Sequence, residues 1–352
     1  MQLALKGQYT ARPNPLVGCV LVQFDEKHRK PLVIGEGYHA YYGGPHAEIV
    51  ALNQARSAGF SIEGAVAYLN LAPCCHTGKT PPCVDALIKA KVSEVVYVME
   101  DPNPISPSHQ ASMLLHQAGI KSTQITEAGL LKQAHEINQG FISRMRHNRP
   151  YVRAKVALSL DGNMALNNHQ SQWITGTAAR AHAQHYRALS GAIITGMGTV
   201  IYDNPSLTVR NKQFVELDNF KQPVSVLIYP ESESESDFKL NLDIADKNIV
   251  KKSDTLFFNQ DLPGMLSILA QKHEINEVLL ESGPGLLNQF LAQNLIDELL
   301  IYLAPKLLGK GAMNLSQFGP IEQLTQAKEW VFQKMEQVGE DIAIMARPKS
   351  KD

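Results

Sequence analysis

The chain's 352 residues are long for one hydrophobic core and favour two domains. Apolar residues at 44% and charged residues at 19% are ordinary globular proportions, no apolar run approaches the roughly 20 residues that span a bilayer, and the opening MQLALKG lacks the marks of a secretory leader. The expected setting is therefore cytoplasmic, with no membrane partner; a net charge of −1 without a long basic stretch also argues against nucleic acid and leaves a small phosphorylated metabolite open.

The pattern predicts a buried strand at 17–22, a second from 31–35, and a helix over 46–58, where Ile49, Val50, Leu52 and Ala55 recur at helical spacing. A strand at 65–69, a helix at 82–90 and a strand at 95–99 follow. Such alternation points to a layered α/β sheet. After the turn-rich stretch 101–107, two helical segments are predicted to run to about residue 147. Arg149-Pro150 disfavours helix, so one domain is placed over 1–147 and a second over 148–352. The second opens with a strand at 151–158 and mixes helices with strands at 192–195, 224–229, 277–280 and 299–304. Alternating Ser and Glu at 231–237 read as a solvated acidic loop.

Three of the four cysteines, at 74, 75 and 83, lie within ten residues, a clustering that in a cytosolic chain suggests metal or redox chemistry before disulfides. His46-Ala47-Glu48 is predicted to open one helix and the 73–83 loop another. His46, Cys74 and Cys83 supply three ligands for zinc and leave the fourth tetrahedral position to water. Zinc lowers the pKa of that water towards neutrality, making a hydroxide nucleophile. Hydrolytic deamination then needs a proton carrier that is not itself a ligand, and Glu48 stands two residues from His46. The order His-x-Glu and then Pro-Cys is that of zinc deaminases acting on bases. Cys75 is a poor substitute for Cys74, because adjacent side chains point in different directions. His39 and His76 are read as outer-layer or substrate contacts. The other readings are buried core cysteines and a closed, non-enzymatic zinc module.

Several stretches carry a more specific likeness. In the first half they are Pro13-Asn14-Pro15-Leu16-Val17-Gly18, Gly35-Glu36-Gly37-Tyr38-His39, Pro45-His46-Ala47-Glu48, the zinc loop ending Thr80-Pro81-Pro82-Cys83, and Asp101-Pro102-Asn103-Pro104. In the second they are Ser159-Leu160-Asp161-Gly162, Ser171-Gln172-Trp173-Ile174-Thr175-Gly176, Gly198-Thr199-Val200, the run DNPSLTVR at 203–210, Glu281-Ser282-Gly283-Pro284 and Ala304-Pro305-Lys306-Leu307-Leu308-Gly309. In this order, and with eight residues between Cys74 and Cys83, the chain resembles the bifunctional riboflavin-biosynthesis deaminase–reductases.

The resemblance implies a cytidine-deaminase-like three-layer α/β/α domain followed by a dihydrofolate-reductase-like α/β domain. It implies removal of the 2-amino group of a diaminopyrimidinone ribosylamine phosphate, then reduction of the ribosyl group to ribityl with NADPH, in a homo-oligomer. Carried over by residue, His46, Cys74 and Cys83 hold zinc and Glu48 is the acid/base. Asn14, Lys79 and Asn103 become substrate contacts, Lys79 being suited to the phosphate. In the second half Ala157, Trp173, Thr199, Asp203 and the 283–289 segment, with Gly283, Pro284 and Gly285, become NADPH contacts. Ser171, Arg187, Leu207, Arg210 and Glu281 become substrate contacts, the two arginines forming a phosphate clamp and Lys155 lying near the sugar.

Without that likeness the second half says less. It has no GxGxxG, so a Rossmann site is not indicated. Gly196-Met197-Gly198-Thr199 and the 281–285 turn are either ordinary strand-to-helix turns or cradles for cofactor phosphate. Departures from the family pattern are Ala72 in place of a glutamate, Ser106 to His109 in place of a glycine-rich run, Asn163 in place of a basic residue, Tyr229-Pro230 at a strand end, and a short first helix. They support a competing reading in which an active deaminase carries an impaired, structural or regulatory reductase half. A polynucleotide deaminase is opposed by the cysteine spacing and the charge.

Overall fold

The computed structural model describes residues 1–24, 30–78, 81–229, 247–248, 254–259, 261–317 and 319–349. The expectations for Lys79, Pro230 and the 231–237 loop lie outside these residues. Two compact units divide the chain: Met1–Asn148 with Asp218–Phe220, and Arg149–Leu217 with Lys221–Asp352.

The first unit runs α1 (Gln2–Leu5), β1 (Gly18–Phe24), β2 (Pro31–Tyr38), α2 (Ala47–Ser57), β3 (Val66–Leu71), α3 (Cys83–Lys89), β4 (Glu94–Met99), α4 (Ser108–Gln117), β5 (Lys121–Gln124), α5 (Ala128–Ile137) and α6 (Gln139–His147). Its sheet has the order β2-β1-β3-β4-β5; β1 is antiparallel to both neighbours, while β3, β4 and β5 are parallel. The strands feed two cores. Leu21, Ala67, Leu69, Val95 and Tyr97 pack with Ala51, Leu52, Leu87 and Leu115 of α2, α3 and α4. Leu71, Val98 and Met99 pack with Ala134 of α5 on the other side. Helices thus cover both faces.

The Gly35-Glu36-Gly37 match has a steric cause. A Cβ at Gly35 would lie 2.4 Å from the Ala51 carbonyl oxygen, and one at Gly37 2.2 Å from that of Ala47. Only glycine lets β2 press this closely on the helix that carries Glu48.

The stretch predicted as two helices after residue 107 is instead α4, the short strand β5, then α5 and α6. Lys-Ser-Thr-Gln at 121–124 shows no apolar alternation; it is an edge strand fixed by backbone pairing to β4.

The second unit runs β6 (Tyr151–Ser159), β7 (Asn163–Ala165), α7 (Thr177–Leu189), β8 (Ala192–Gly196), α8 (Met197–Asp203), α9 (Lys212–Val215), β9 (Val224–Ile228), β10 (Leu256–Phe258), α10 (Leu262–Gln271), β11 (Glu277–Leu280), α11 (Pro284–Ala292), β12 (Glu298–Ala304), β13 (Met313–Asn314), β14 (Trp330–Val338) and β15 (Asp341–Pro348). Eight strands form one sheet in the order β10-β9-β8-β11-β6-β12-β15-β14. The first six are parallel, and β15 and β14 extend the sheet antiparallel. Ile194, Val226, Val278 and Leu280 meet α10 and α11, while Ile193, Leu227, Leu279 and Leu300 meet α7 and α8.

Two of the matched motifs clasp each other here. Asp161 accepts hydrogen bonds from the Ser159 hydroxyl at 2.5 Å and from the amides of Leu308 and Gly309 at 3.1 and 2.8 Å. These bonds hold its carboxyl well below the usual carboxylate range, the Ser159 bond contributing most.

Candidate active sites

His46 is the N-cap of α2 and Cys83 the first residue of α3, whereas Cys74 sits in the loop after β3. The Nδ1 of His46 lies 3.2 Å from Cys83 Sγ and 3.5 Å from Cys74 Sγ, and the three ligand atoms all fall within 4.8 Å of one another. Zinc bonds of about 2.3 Å to sulfur and 2.0–2.1 Å to nitrogen, set tetrahedrally, place N and S roughly 3.5 Å apart. The donor set therefore fits zinc. Cys83's hydrogen bond holds the Cys74 thiol well below the usual thiol range, and Cys83 is pushed up in turn. Cys75 points elsewhere: its sulfur is 3.8 Å from Ser106 Oγ and its amide donates to the same hydroxyl at 3.2 Å.

Glu48, in the first turn of α2, is buried, and its Oε2 has no hydrogen-bond partner. Burial, then the charge of the Cys74 thiolate, raises its carboxyl to about 7. That value suits a group that takes and returns a proton near neutrality.

His39 lies edge-on to His46, with ring centroids 5.5 Å apart. A carbonyl can only accept, so His39 Nδ1–H donates to Pro45 O at 3.1 Å, and Nε2 then accepts from Asn14 Nδ2 at 2.9 Å. This turns the Asn14 amide so that its carbonyl oxygen stays available. Burial lowers the His39 pKa and keeps it neutral, as that role requires.

Asn103 occupies a tight turn, its amide donating to Asp101 Oδ1 at 3.0 Å and its own Oδ1 accepting from Ile105 N at 3.2 Å. Residues that depart from the family pattern are used structurally. Ser106 holds the zinc loop through Cys75, and Ser108 Oγ accepts from Asp101 N at 2.8 Å. Ala72 is buried in the core, its amide bonded to Met99 O at 2.8 Å.

In the second unit a cavity of about 930 Å³ gathers twelve of the residues marked out in that half; of the 283–289 segment, Leu287 and Asn288 are not among its lining. Ala157 comes from β6, and Ser171 and Trp173 from the loop before α7. Arg187 comes from α7, Thr199 and Asp203 from α8, and Leu207 and Arg210 from the segment after it. Glu281, Gly283, Pro284 and Gly285 come from the β11–α11 turn. Lys155 and the departing Tyr229 line the same cavity.

Thr199 Oγ1 accepts from the Gly283 amide at 3.0 Å, joining the two glycine turns. A Cβ on Gly198 or Gly285 would meet nothing within 4 Å, so both turns border open space. Asp203 accepts from Ser171 Oγ at 3.1 Å. Asn163, the other departure, begins β7 with its amide on Ser159 Oγ at 3.0 Å; it is not among the residues lining the cavity.

The two arginines of the expected clamp both line the cavity, but they are engaged differently. Arg187 donates to both Glu281 oxygens, at 2.7 and 2.8 Å, and to Thr208 O at 2.9 Å. Its fork is taken by the carboxylate, which leaves the exposed Arg210 as the arginine free to meet a phosphate. Burial would raise the Glu281 pKa, but Arg187, then Lys155 and Arg210, outweigh it and hold the carboxyl at about 2. The Leu207 side chain is 1% exposed and packs in the core. Sequence reasoning missed His169, Arg180, Gln184 and Tyr202 on the cavity wall. They belong to no motif, and only the fold brings them there.

Residues 1–99 match the family model described as the cytidine and deoxycytidylate deaminase zinc-binding region, and residues 150–344 match the RibD C-terminal domain. Fold and site together define a bifunctional enzyme, a zinc-binding deaminase joined to a reductase.

The chain is 40% identical over 369 residues to the riboflavin biosynthesis protein RibD of Haemophilus influenzae, covering 99% of this chain and 95% of that one. It is 37% identical to the Escherichia coli RibD, with 98% and 96% covered. A solved Acinetobacter baumannii RibD structure superposes with a TM-score of 0.84 at 36% identity, covering 99% of this chain and 96% of that one. The Thermotoga maritima diaminohydroxyphosphoribosylaminopyrimidine deaminase/5-amino-6-(5-phosphoribosylamino)uracil reductase gives 0.81 at 28%, with the same coverage. The chain belongs to the RibD family, the bifunctional deaminase–reductases of riboflavin biosynthesis.

Proposed function

We propose that residues 1–147 remove the 2-amino group of the diaminopyrimidinone ribosylamine phosphate, and that residues 148–352 reduce the ribosyl group of the deaminated product with NADPH. The substrate pair is that named for the Thermotoga maritima relative. The observation that carries the reading is the convergence of His46, Cys74 and Cys83 beside the buried carboxyl of Glu48, whose Oε2 has no hydrogen-bond partner.

His46 Nδ1 and the sulfurs of Cys74 and Cys83 hold zinc, which when bound supplies a Lewis acid that makes water nucleophilic at neutral pH. Glu48 would take one proton from the attacking water and give it to the ring nitrogen, then take the proton of the added hydroxyl and give it to the amine, which leaves as ammonia. Its carboxyl, raised to about 7, exchanges the proton at little cost. Asn14, held by His39, offers its carbonyl oxygen to the N–H groups of the pyrimidine. Lys79 meets the phosphate, and Asn103 completes the substrate contacts.

In the reductase cavity the dinucleotide supplies the hydride. Ala157, Trp173, Thr199, Asp203, Gly283, Pro284 and Gly285 form its seat, the two open glycine turns facing its phosphates. Arg210 binds the substrate phosphate, and Lys155 and Ser171 orient the sugar. Arg187 holds Glu281 charged and in place, and Leu207 shapes the wall.

The enzyme acts in the cytoplasm as a homo-oligomer. Among the described residues no helix is long and apolar enough to cross a membrane. The bare edge strand β14, with Phe332 61% and Met335 62% exposed, supports pairing with a second copy.

The test is to incubate zinc-loaded protein with the diaminopyrimidinone ribosylamine phosphate, first alone and then with NADPH, following products by mass spectrometry. Deamination without NADPH, then a ribityl product once it is added, is expected. Deamination that stops there would sink the reductase assignment, and no reaction would sink both.

A further inference from the structure

An aromatic pair in the reductase cavity has no part in the roles above. His169 and Tyr202 both line the cavity, and their rings stack 4.0 Å apart with planes 8° from parallel. His169 lies in the loop before Ser171, and Tyr202 is the penultimate residue of α8. Although His169 covers one face of it, Tyr202 remains 57% exposed, so the face turned from His169 is open. A large ring left bare on a cavity wall offers a flat surface on which another flat ring can stack. Trp173 is similarly exposed, at 62%, but the Arg180 guanidinium lies 4.5 Å from its ring centre.

We propose that the His169–Tyr202 pair is the stacking platform for the adenine base of the dinucleotide, an inference that rests on the NADPH reading of this cavity. Two considerations favour adenine over the pyrimidine of the substrate. Tyr202 stands three residues beyond Thr199, one helical turn or about 5 Å along the axis. Thr199 is bonded to the glycine turn at Gly283, so a diphosphate seated at that turn leaves its adenosine arm within reach of Tyr202. Hydride transfer also favours a water-poor setting for the reacting ends. Adenine takes no part in the chemistry and can occupy a wall that is more than half exposed.

Binding measurements separate the two sources of a flat base. The full chain is titrated by calorimetry with NADPH, with adenosine 2′,5′-bisphosphate, which lacks the nicotinamide, and with the ribitylaminopyrimidine phosphate product. Tyr202→Ala should raise Kd for NADPH and for the bisphosphate by about tenfold, within the range for a base stacked on an aromatic ring. It should leave the pyrimidine unchanged. Tyr202→Phe keeps the ring and should stay within about twofold of wild type on all three, and melting curves check that both variants fold. Unchanged NADPH binding with weakened pyrimidine binding would overturn the proposal and give the platform to the substrate. Unchanged binding of all three, beside tight wild-type NADPH binding, would overturn the platform alone. A wild-type chain that takes up no NADPH would overturn the cofactor reading and the platform together.

Discussion

The two sites solve the problem of placing chemistry in opposite ways. The deaminase centre is small and local: three ligand atoms within 4.8 Å, from one helix cap, one loop and one helix start, with the proton carrier two residues from a ligand. The reductase cavity draws its walls from residues spread between Lys155 and Gln317. A metal centre imposes distances of a few tenths of an ångström on few atoms, so its residues fall into a short motif. A cavity for two large ligands needs shape and charge over many contacts, each of which tolerates variation. Damage should therefore be abrupt at the first site and graded at the second.

The sharpest test of that contrast is Glu48→Gln. The amide keeps size and burial but cannot carry the proton, so zinc should stay at one ion per chain while deamination falls about 10³-fold or more. Reduction of the deaminated intermediate should be untouched. Zinc content by mass spectrometry and ammonia release check both halves; retained deamination would remove Glu48 from the mechanism.

How much of this was legible follows from the same contrast. His46, Glu48, Cys74 and Cys83 were readable because metal chemistry dictates residue type and spacing, and the structure brings them together. The strands β6, β8, β9, β11 and β12 were readable because buried parallel strands are continuous apolar runs. The edge strand β5 was not, since backbone pairing rather than apolar pattern holds it. The pairing of Arg187 with Glu281 was hidden for another reason. The two lie 94 residues apart, and sequence shows a cation without showing what already occupies it.

Breaking that pair tests the second site through pH. Glu281 is held at about 2, below its ordinary 4.5, with Arg187 the main counter to burial. A carboxyl depressed on folding adds stability that is fully present above its unfolded pKa and lost as pH falls towards its folded one. The window is therefore roughly pH 4.5 down to 2, and the contribution is on the order of 3 kcal/mol. The stability gap between wild type and Glu281→Gln, followed by chemical denaturation of the second unit, should be widest above pH 5 and shrink on acidification. A gap independent of pH would mean that the carboxylate charge is not what stabilises this wall.

Arg210→Ala should do less. Loss of one charge-assisted bond to phosphate costs about 1.5–3 kcal/mol at most. A rise of about tenfold in KM for the phosphorylated intermediate is expected, with KM for NADPH and the deamination rate unchanged. Steady-state reduction at several substrate concentrations separates the parameters. Equal loss in both activities would indicate misfolding, and an unchanged KM would return the phosphate to another cation on the wall, such as Lys155.

Cys75→Ser should do least, and it probes how local the zinc centre is. Cys75 is adjacent to a ligand, yet its sulfur faces Ser106 and the Pro107 carbonyl at 3.8 and 3.9 Å. A serine hydroxyl can keep a hydrogen bond in that direction, so zinc content and deamination should stay within about twofold of wild type. Cys74→Ser, one residue earlier, should lose the metal and the deaminase activity together while reduction continues. The adjacent pair thus separates position in sequence from position in the ligand sphere. If both variants lost zinc, Cys75 would be an alternative ligand, and the ligand set of His46, Cys74 and Cys83 would have to be redrawn.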